Sequence, residues 1–449
     1  MVKDMTVGNP TKLLVSFSIP MIVGNIFQQF YSMVDAIVVG KFVGVDALAA
    51  IGVTGPLCFL ILGFVFGLTS GFSVIISQRF GAGDEAGVKR ATAMSILLSV
   101  AVTVILTIVS MVLTMPILTA MQTPENIIGD AGGYMYVIFG GTAASVFYNL
   151  VSAVLRALGD SKTPLYALVM ASVLNVGLDL LFVLEFNMGV VGTAYATVIA
   201  QALSCVFCVV FIIFKLPILH LHKEDFEFNR STCMQLMKMG LPTGGCSSVT
   251  AVGGVVLQGV INGFGSDVVA AFTSGTRVEQ LMVQPAYSFG MAIAAYSGQN
   301  LGARKMDRIQ VGVRKCMLIC VIFCIVFGLV EIFFGEYLVL IFISAEESAV
   351  IYYAKYYLVI SGIFLPALAL INTYRNAVQG LGNGIVPLLC GAVELFGRVS
   401  AALLLVGPLG YLGICLANPL AWIAAACIAI IYFFKILKNL KSDPSLIHG

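Results

Sequence analysis

Charged residues are scarce in this chain of 449 residues, at 10% of the total, where soluble domains carry roughly 25%. Hydrophobic residues make up 59%, and the mean hydropathy is +1.02. A soluble protein so apolar could not cover its surface with polar groups, so the chain belongs in a bilayer. No long basic run occurs and the net charge is only +2, which gives nucleic acid nothing to bind. No G-x-x-x-x-G-K-[ST] is present, which argues against ATP hydrolysis. GAGDEAG (81–87) has the wrong glycine spacing for a dinucleotide fingerprint and reads as a loop. Zinc motifs and nucleophile–base arrangements are missing as well, so the chain is not expected to be an enzyme or to carry a cofactor. His220 and His222 stand without further ligands nearby and read as a solvated linker. The 11 cysteines are odd in number and mostly lie in apolar stretches, so they read as packing residues. The N-terminus shows no A-x-A-like cleavage site, and its first apolar run is expected to remain as a span.

What the sequence has in abundance is long apolar stretches. Twelve approach the roughly 20 residues a membrane helix needs, at about 13–40, 47–77, 91–115, 133–156, 164–185, 189–214, 240–262, 269–298, 314–334, 352–380, 386–406 and 410–434. Backbone groups in lipid must be satisfied within a segment, and barrel strands would show a two-residue period, so these are helices. An all-α integral membrane protein follows. With the N-terminus in the cytoplasm, the outer loops hold only Lys41 and Lys355. Arg277, Arg375 and Arg398 fall within spans, and every other Lys and Arg lies inside. Both termini are therefore expected to be cytoplasmic.

The chain repeats itself. Gln78 and Gly81 match Gln299 and Gly302, GVDALAA (44–50) matches GSDVVAA (265–271), and GVVGTAYA (189–196) matches GYLGICLA (410–417), all 221 residues apart. LRALGDSKTP (155–164) matches VQGLGNGIVP (378–387) at 223. Two pseudo-symmetric lobes of six helices are expected, at 1–219 and 240–449, with a cytoplasmic linker at 220–239. An even number of spans gives both copies one orientation, related by an axis along the membrane normal, as in many secondary transporters.

Polar side chains within spans are costly and are functional candidates by default. In the first half they are Asp35, Asn149, Asn175, Asp179 and Thr197. Asn175 and Asp179, four residues apart, share a helix face. Two carboxylates with amide and hydroxyl oxygens suit a monovalent cation, or a proton held between close acids. Inter-helix glue is the alternative for each of them. The matching stretch of the second half has Arg398 and Ala402 in place of Asn175 and Asp179, so the repeated fold does not require this acid. The second half instead offers Glu279 near Arg277, a possible further site, and Glu394 with Arg398 at i, i+4, which reads as a structural ion pair. Glu185 and Glu331 fall near span ends and are expected to reach water. Tyr31, Met33, Met282 and Tyr287 lie in the same spans and would suit a permissive apolar substrate, although packing or lipid contact explains any one of them.

The order of IPMIVGNIFQQFYSMVDAIVVGKFVG (19–44), the two Q-x-x-G-A pieces and LRALGDSKTP resembles the multidrug and toxic compound extrusion (MATE) transporters of the MOP flippase superfamily, over roughly 10–435. The resemblance implies a V-shaped molecule of two six-helix lobes with alternating access, exporting cationic amphipathic compounds against Na⁺ or H⁺ entry at the cell membrane. It also implies an N-lobe cation site, onto which Asp35, Asn175, Asp179 and Thr197 map, with Asn149 a looser match. Apart from a Na⁺ at those residues, no metal is expected. Small-molecule substrates and membrane lipid are the expected partners, and a monomer the expected state. A lipid-linked precursor flippase or polysaccharide exporter of the same superfamily is the alternative, and a membrane enzyme or receptor a more distant one.

Overall fold

The structure is a computed structural model that describes residues 3–442. The C-terminal end expected in the cytoplasm, residues 443–449, lies outside the described residues. Those residues form helices α1 (Pro10–Phe42), α2 (Val45–Gly81), α3 (Glu85–Ala120), α4 (Glu125–Gly140), α5 (Thr142–Ala157), α6 (Lys162–Leu180), α7 (Gly189–Lys215), α8 (Arg230–Asn262), α9 (Ser266–Met282), α10 (Gln284–Gly302), α11 (Met306–Val339), α12 (Ser348–Gly380), α13 (Ile385–Leu409) and α14 (Tyr411–Lys441). Among the described residues, ten apolar stretches are long enough to span a membrane as single helices, and α4 with α5, bent by 46°, makes an eleventh.

Two of the expected spans are interrupted. The stretch 133–156 is bent at Gly141, between α4 and α5. The stretch 269–298 is broken at Val283 into α9 and α10. Pro285 lies in the first turn of α10, where its missing N–H costs no helix bond. This segment also carries Arg277, Glu279, Gln280 and Gln284. Within 220–239, a 3₁₀ turn (Lys223–Phe226) is followed by the start of α8 at Arg230.

The chain divides into two compact units. One comprises Lys3 and residues 23–244, the other residues 4–22 and 245–442. In the first, α2, α3, α5 and α7 close around Leu68, Phe72, Met94, Leu150 and Leu155. Lipid tails are as apolar as leucine, so helices in a membrane associate mainly through close packing. The first unit does this with two small-residue motifs, Gly67/Gly71 on α2 and Gly240/Gly244 on α8. A Cβ at Gly71 would come within 2.6 Å of the Gly240 Cα.

The second unit packs Phe17, Phe289, Tyr296, Trp422 and Phe433 together with Cys316, Cys320 and Cys324, which line one face of α11. Its N-terminal segment is tied in by hydrogen bonds. The Met5 N–H donates to Gln299 Oε1 (2.8 Å), and Asn300 Nδ2 and Arg308 donate to the Met5 carbonyl (both 3.2 Å).

The repeat persists in backbone detail. Left-handed φ values recur at matching turns: Gly44 and Gly265, Gly159 and Gly382, Gly189 and Gly410, and Gly83 (φ 72°) with Arg304 (φ 58°). Three of these four pairs keep glycine on both sides, whereas Arg304 adopts the same conformation with a side chain.

Candidate functional site

Asn175 and Asp179 lie on the buried face of α6, 1% and 0% exposed. Directly beyond them the helix widens into a π-helical turn, Leu181–Glu185, a feature frequent at functional sites. Asp35 on α1 faces Asp179, close enough for a hydrogen bond between the two carboxyls when one is protonated. Neither oxygen of Asp179, nor Asp35 Oδ1, nor either polar atom of Asn175 has a hydrogen-bond partner. Tyr31 and Tyr134 flank the pair and interact electrostatically with both acids.

Asn149 and Thr197 do not hydrogen-bond to Asp179. Asn149 donates to the Ser145 carbonyl one turn back (2.8 Å), and the Ser145 hydroxyl donates to Gln201. Thr197 on α7 is partly exposed. The acid pair and Asn175 are thus the heart of the site, with Asp179 and Asn175 buried and Asp35 half-buried. Buried polar atoms normally find partners, so an unpartnered carboxylate facing a second one is the exception that needs explaining. Two such charges repel strongly in a low dielectric. A proton or a monovalent cation between them relieves that repulsion.

The second unit has its own polar groups. Glu394 on α13 is bridged by two arginines, Arg375 of α12 (2.9 Å) and Arg398 one turn away (3.4 Å). Arg398 also donates to the Thr250 carbonyl (3.1 Å). The pair expected at i, i+4 is therefore part of a triad that also recruits Arg375. Glu279 and Arg277 point apart, Glu279 buried at 8% and Arg277 exposed. Glu331 does not reach water as its position suggested. It is 0% exposed, because α11 runs on to Val339 and packs closely on α12 beside this residue, at Gly328 and Gly362. Glu185 is exposed. Tyr134 is thus the residue that sequence reasoning missed, and Glu331 the one it placed wrongly. A matching tyrosine at 357 in the second repeat was the available signal for Tyr134.

The profile of the MatE family matches residues 20–181 and 242–401, one stretch in each half of the repeat. The chain belongs to the MatE family. As a MatE protein it is a membrane transporter and not an enzyme. It is 29% identical over 437 residues to the probable multidrug resistance protein YpnP of Bacillus subtilis (strain 168), covering 96% of each chain. It is 26% identical over 436 residues to the probable multidrug resistance protein NorM of Thermotoga maritima, covering 96% of this chain and 91% of that one. The crystal structure of MATE in complex with MaL6 superposes on this MatE chain with a TM-score of 0.92, at 25% identity, over 98% of this chain and 99% of the other. The interrupted spans α4/α5 and α9/α10 are thus single crossings of a twelve-helix MATE fold.

Proposed function

We propose that this MatE transporter is a secondary antiporter that exports cationic, amphipathic compounds by alternating access, driven by Na⁺ or H⁺ entering through an acidic site in its first unit. The observation that carries the reading is the facing Asp35–Asp179 pair, in which Asp179 is buried, Asp35 is half-buried, and both oxygens of Asp179 are unpartnered. Asn175, one turn before Asp179 with both polar atoms free, is poised to complete the oxygen set, and Thr197 to close it in another conformation. The coupling ion and the exported cation compete for the same negative charge, which is the basis of exchange. The names of YpnP and NorM, multidrug resistance proteins, support the substrate class. The transporter acts in the cell membrane as a monomer without a cofactor, with both termini in the cytoplasm as the Lys and Arg distribution favours.

The flippase alternative is disfavoured by the engaged arginines. Arg375 and Arg398, which would hold a lipid pyrophosphate, are bound to Glu394. Dye efflux from proteoliposomes under separately imposed Na⁺ and pH gradients tests the proposal. Wild type is expected to export dye under one gradient, and Asp35→Asn and Asp179→Asn to lose that gradient dependence. Retention of gradient-driven efflux by Asp179→Asn at normal reconstitution would refute it.

A further inference from the structure

The second unit buries two carboxyl groups that the antiport reading leaves without a task. Glu279 on α9 is fully partnered. Tyr357 Oη donates to its Oε2 (2.5 Å) and Ser361 Oγ to its Oε1 (2.9 Å), both from α12. Glu331 on α11 is the opposite case, 0% exposed with no partner for either oxygen. It faces Ser361, whose hydroxyl is committed to Glu279, and it lies within electrostatic range of Glu279 itself. Helices α11 and α12 touch backbone to backbone beside it. A Cβ at Gly362 would stand 2.7 Å from the Gly328 carbonyl oxygen and 3.3 Å from the Glu331 Cβ.

The surroundings do not neutralise this pair. Tyr357 of α12, Tyr287 of α10 and Arg398 of α13 act on Glu279, Cys415 of α14 lies beyond Tyr357, and Cys324 precedes Glu331 on α11. Among the described residues, Arg398 is the one cation acting on Glu279, and its guanidinium is already taken by Glu394 and the Thr250 carbonyl. Two hydrogen bonds favour the ionised form of Glu279, whereas the one hydroxyl that Glu331 faces, Ser361, is already directed at Glu279.

The repeat shows that these acids are not a demand of the fold. In the first unit the places of Glu279 and Glu331 are held by Cys58 and Ser110, while the place of Tyr357 is held by Tyr134. Tyr134 lies within electrostatic range of Cys58, where Tyr357 hydrogen-bonds to Glu279. The tyrosine frame is common to both units, and the acids are particular to the second.

We propose that Glu279 and Glu331 form a second proton-binding site, in which Glu331 carries the exchangeable proton and Glu279 stays ionised on its bonds to Tyr357 and Ser361. On uptake, a proton from water adds to a Glu331 oxygen, and the new O–H can donate to Ser361 Oγ while the Ser361 hydroxyl goes on donating to Glu279 Oε1. Release returns that proton to water and leaves two carboxylates. The site stands independently of the Asp35–Asp179 reading, because it shares no residue with it.

Infrared titration of the purified full-length protein tests it, in an Asp35→Asn/Asp179→Asn background that removes the other acid pair. A carbonyl band of a neutral carboxylic acid is expected to persist at neutral pH. That band should vanish in Glu331→Gln, and titrate at lower pH in Glu279→Gln, where the neighbouring negative charge is gone. Tyr357→Phe keeps both acids and is expected to shift the band, which provides a readout should Glu331→Gln fold poorly. Absence of the band, its survival in Glu331→Gln, or its indifference to both Glu279→Gln and Tyr357→Phe would overturn the proposal. Loss of the band on adding Na⁺ at constant pH would also overturn it, by marking a sodium site instead.

Discussion

Tyr134 on α4 and Tyr357 on α12 occupy matching places in the two repeats, yet one has the Cys58 thiol within electrostatic range and the other donates a 2.5 Å hydrogen bond to the Glu279 carboxylate. The same frame therefore carries different energetic weight in each unit. Hydrogen bonds to charged groups contribute about 1.5–3 kcal/mol, against about 1 kcal/mol for neutral ones. Tyr357→Phe is expected to lower thermal stability in detergent by about 2 kcal/mol, and Tyr134→Phe by less than half of that. Equal losses from the two variants would show that Glu279 is not ionised in the native state.

Glu394 holds two arginines at once, and its loss leaves both without their carboxylate. Breaking a buried pair from one side costs about 3–5 kcal/mol. Glu394→Ala should therefore destabilise the protein by that amount, whereas replacing Glu394, Arg375 and Arg398 together by apolar residues should cost far less. Thermal unfolding of the single and triple variants in one detergent measures the difference.

Asp160 closes the LRALGDSKTP turn. It accepts hydrogen bonds from the Lys162 N–H (3.0 Å), the Thr163 N–H (3.2 Å) and the Thr163 hydroxyl (2.7 Å) at the start of α6. Burial pushes its carboxyl up, but the hydrogen bonds outweigh burial and hold it below the usual carboxylate range. Its stabilisation is therefore fully present above the unfolded value near 3.9, and is lost as pH falls through the lowered folded value. Asp160→Ala is expected to cost about 1–2 kcal/mol at pH 7. The gap to wild type should narrow in strong acid, as followed by unfolding at both pH values.

Arg304 takes the left-handed conformation that glycine takes at the matching turn, Gly83. A side chain pays roughly 1–2 kcal/mol for that conformation, partly offset by the greater unfolded-state freedom of glycine. Arg304→Gly should stabilise the protein by about 0.5 kcal/mol, and Gly83→Ala should destabilise it by about 1 kcal/mol. No atom lies within 4 Å of a Cβ built at Gly83, so that loss would be conformational rather than steric. A stability assay on both variants checks the opposite signs.

Much of the fold was legible in the chain because it is encoded locally. Apolar length and composition select membrane helices one stretch at a time, and the near-constant spacing of the repeat carried each turn of the first half onto its partner in the second. The helix breaks were less legible. Pro285 marked an irregularity in 269–298, but the full break at Val283 depends on how α9 and α10 each pack. The bend at Gly141 has no proline to announce it.

The site divides along the same line. Asp35, Asn175 and Asp179 could be picked out from the sequence because a polar group in an apolar stretch is conspicuous, and because the second repeat lacks the acid. Their facing geometry is a contact between α1 and α6, which no spacing within either helix encodes. Glu331 was misjudged for that reason. Its distance from the end of an apolar stretch suggested water, whereas the packing of α11 against α12 at Gly328 and Gly362 seals it in. The sequence by itself determined the helices, their repeat and the inventory of intramembrane charge, since hydropathy and period act along the chain. Only the tertiary structure decided which charges are neutralised, as Glu394 is, and which stand unpartnered, as Asp179 and Glu331 do, because solvation and pairing act between helices.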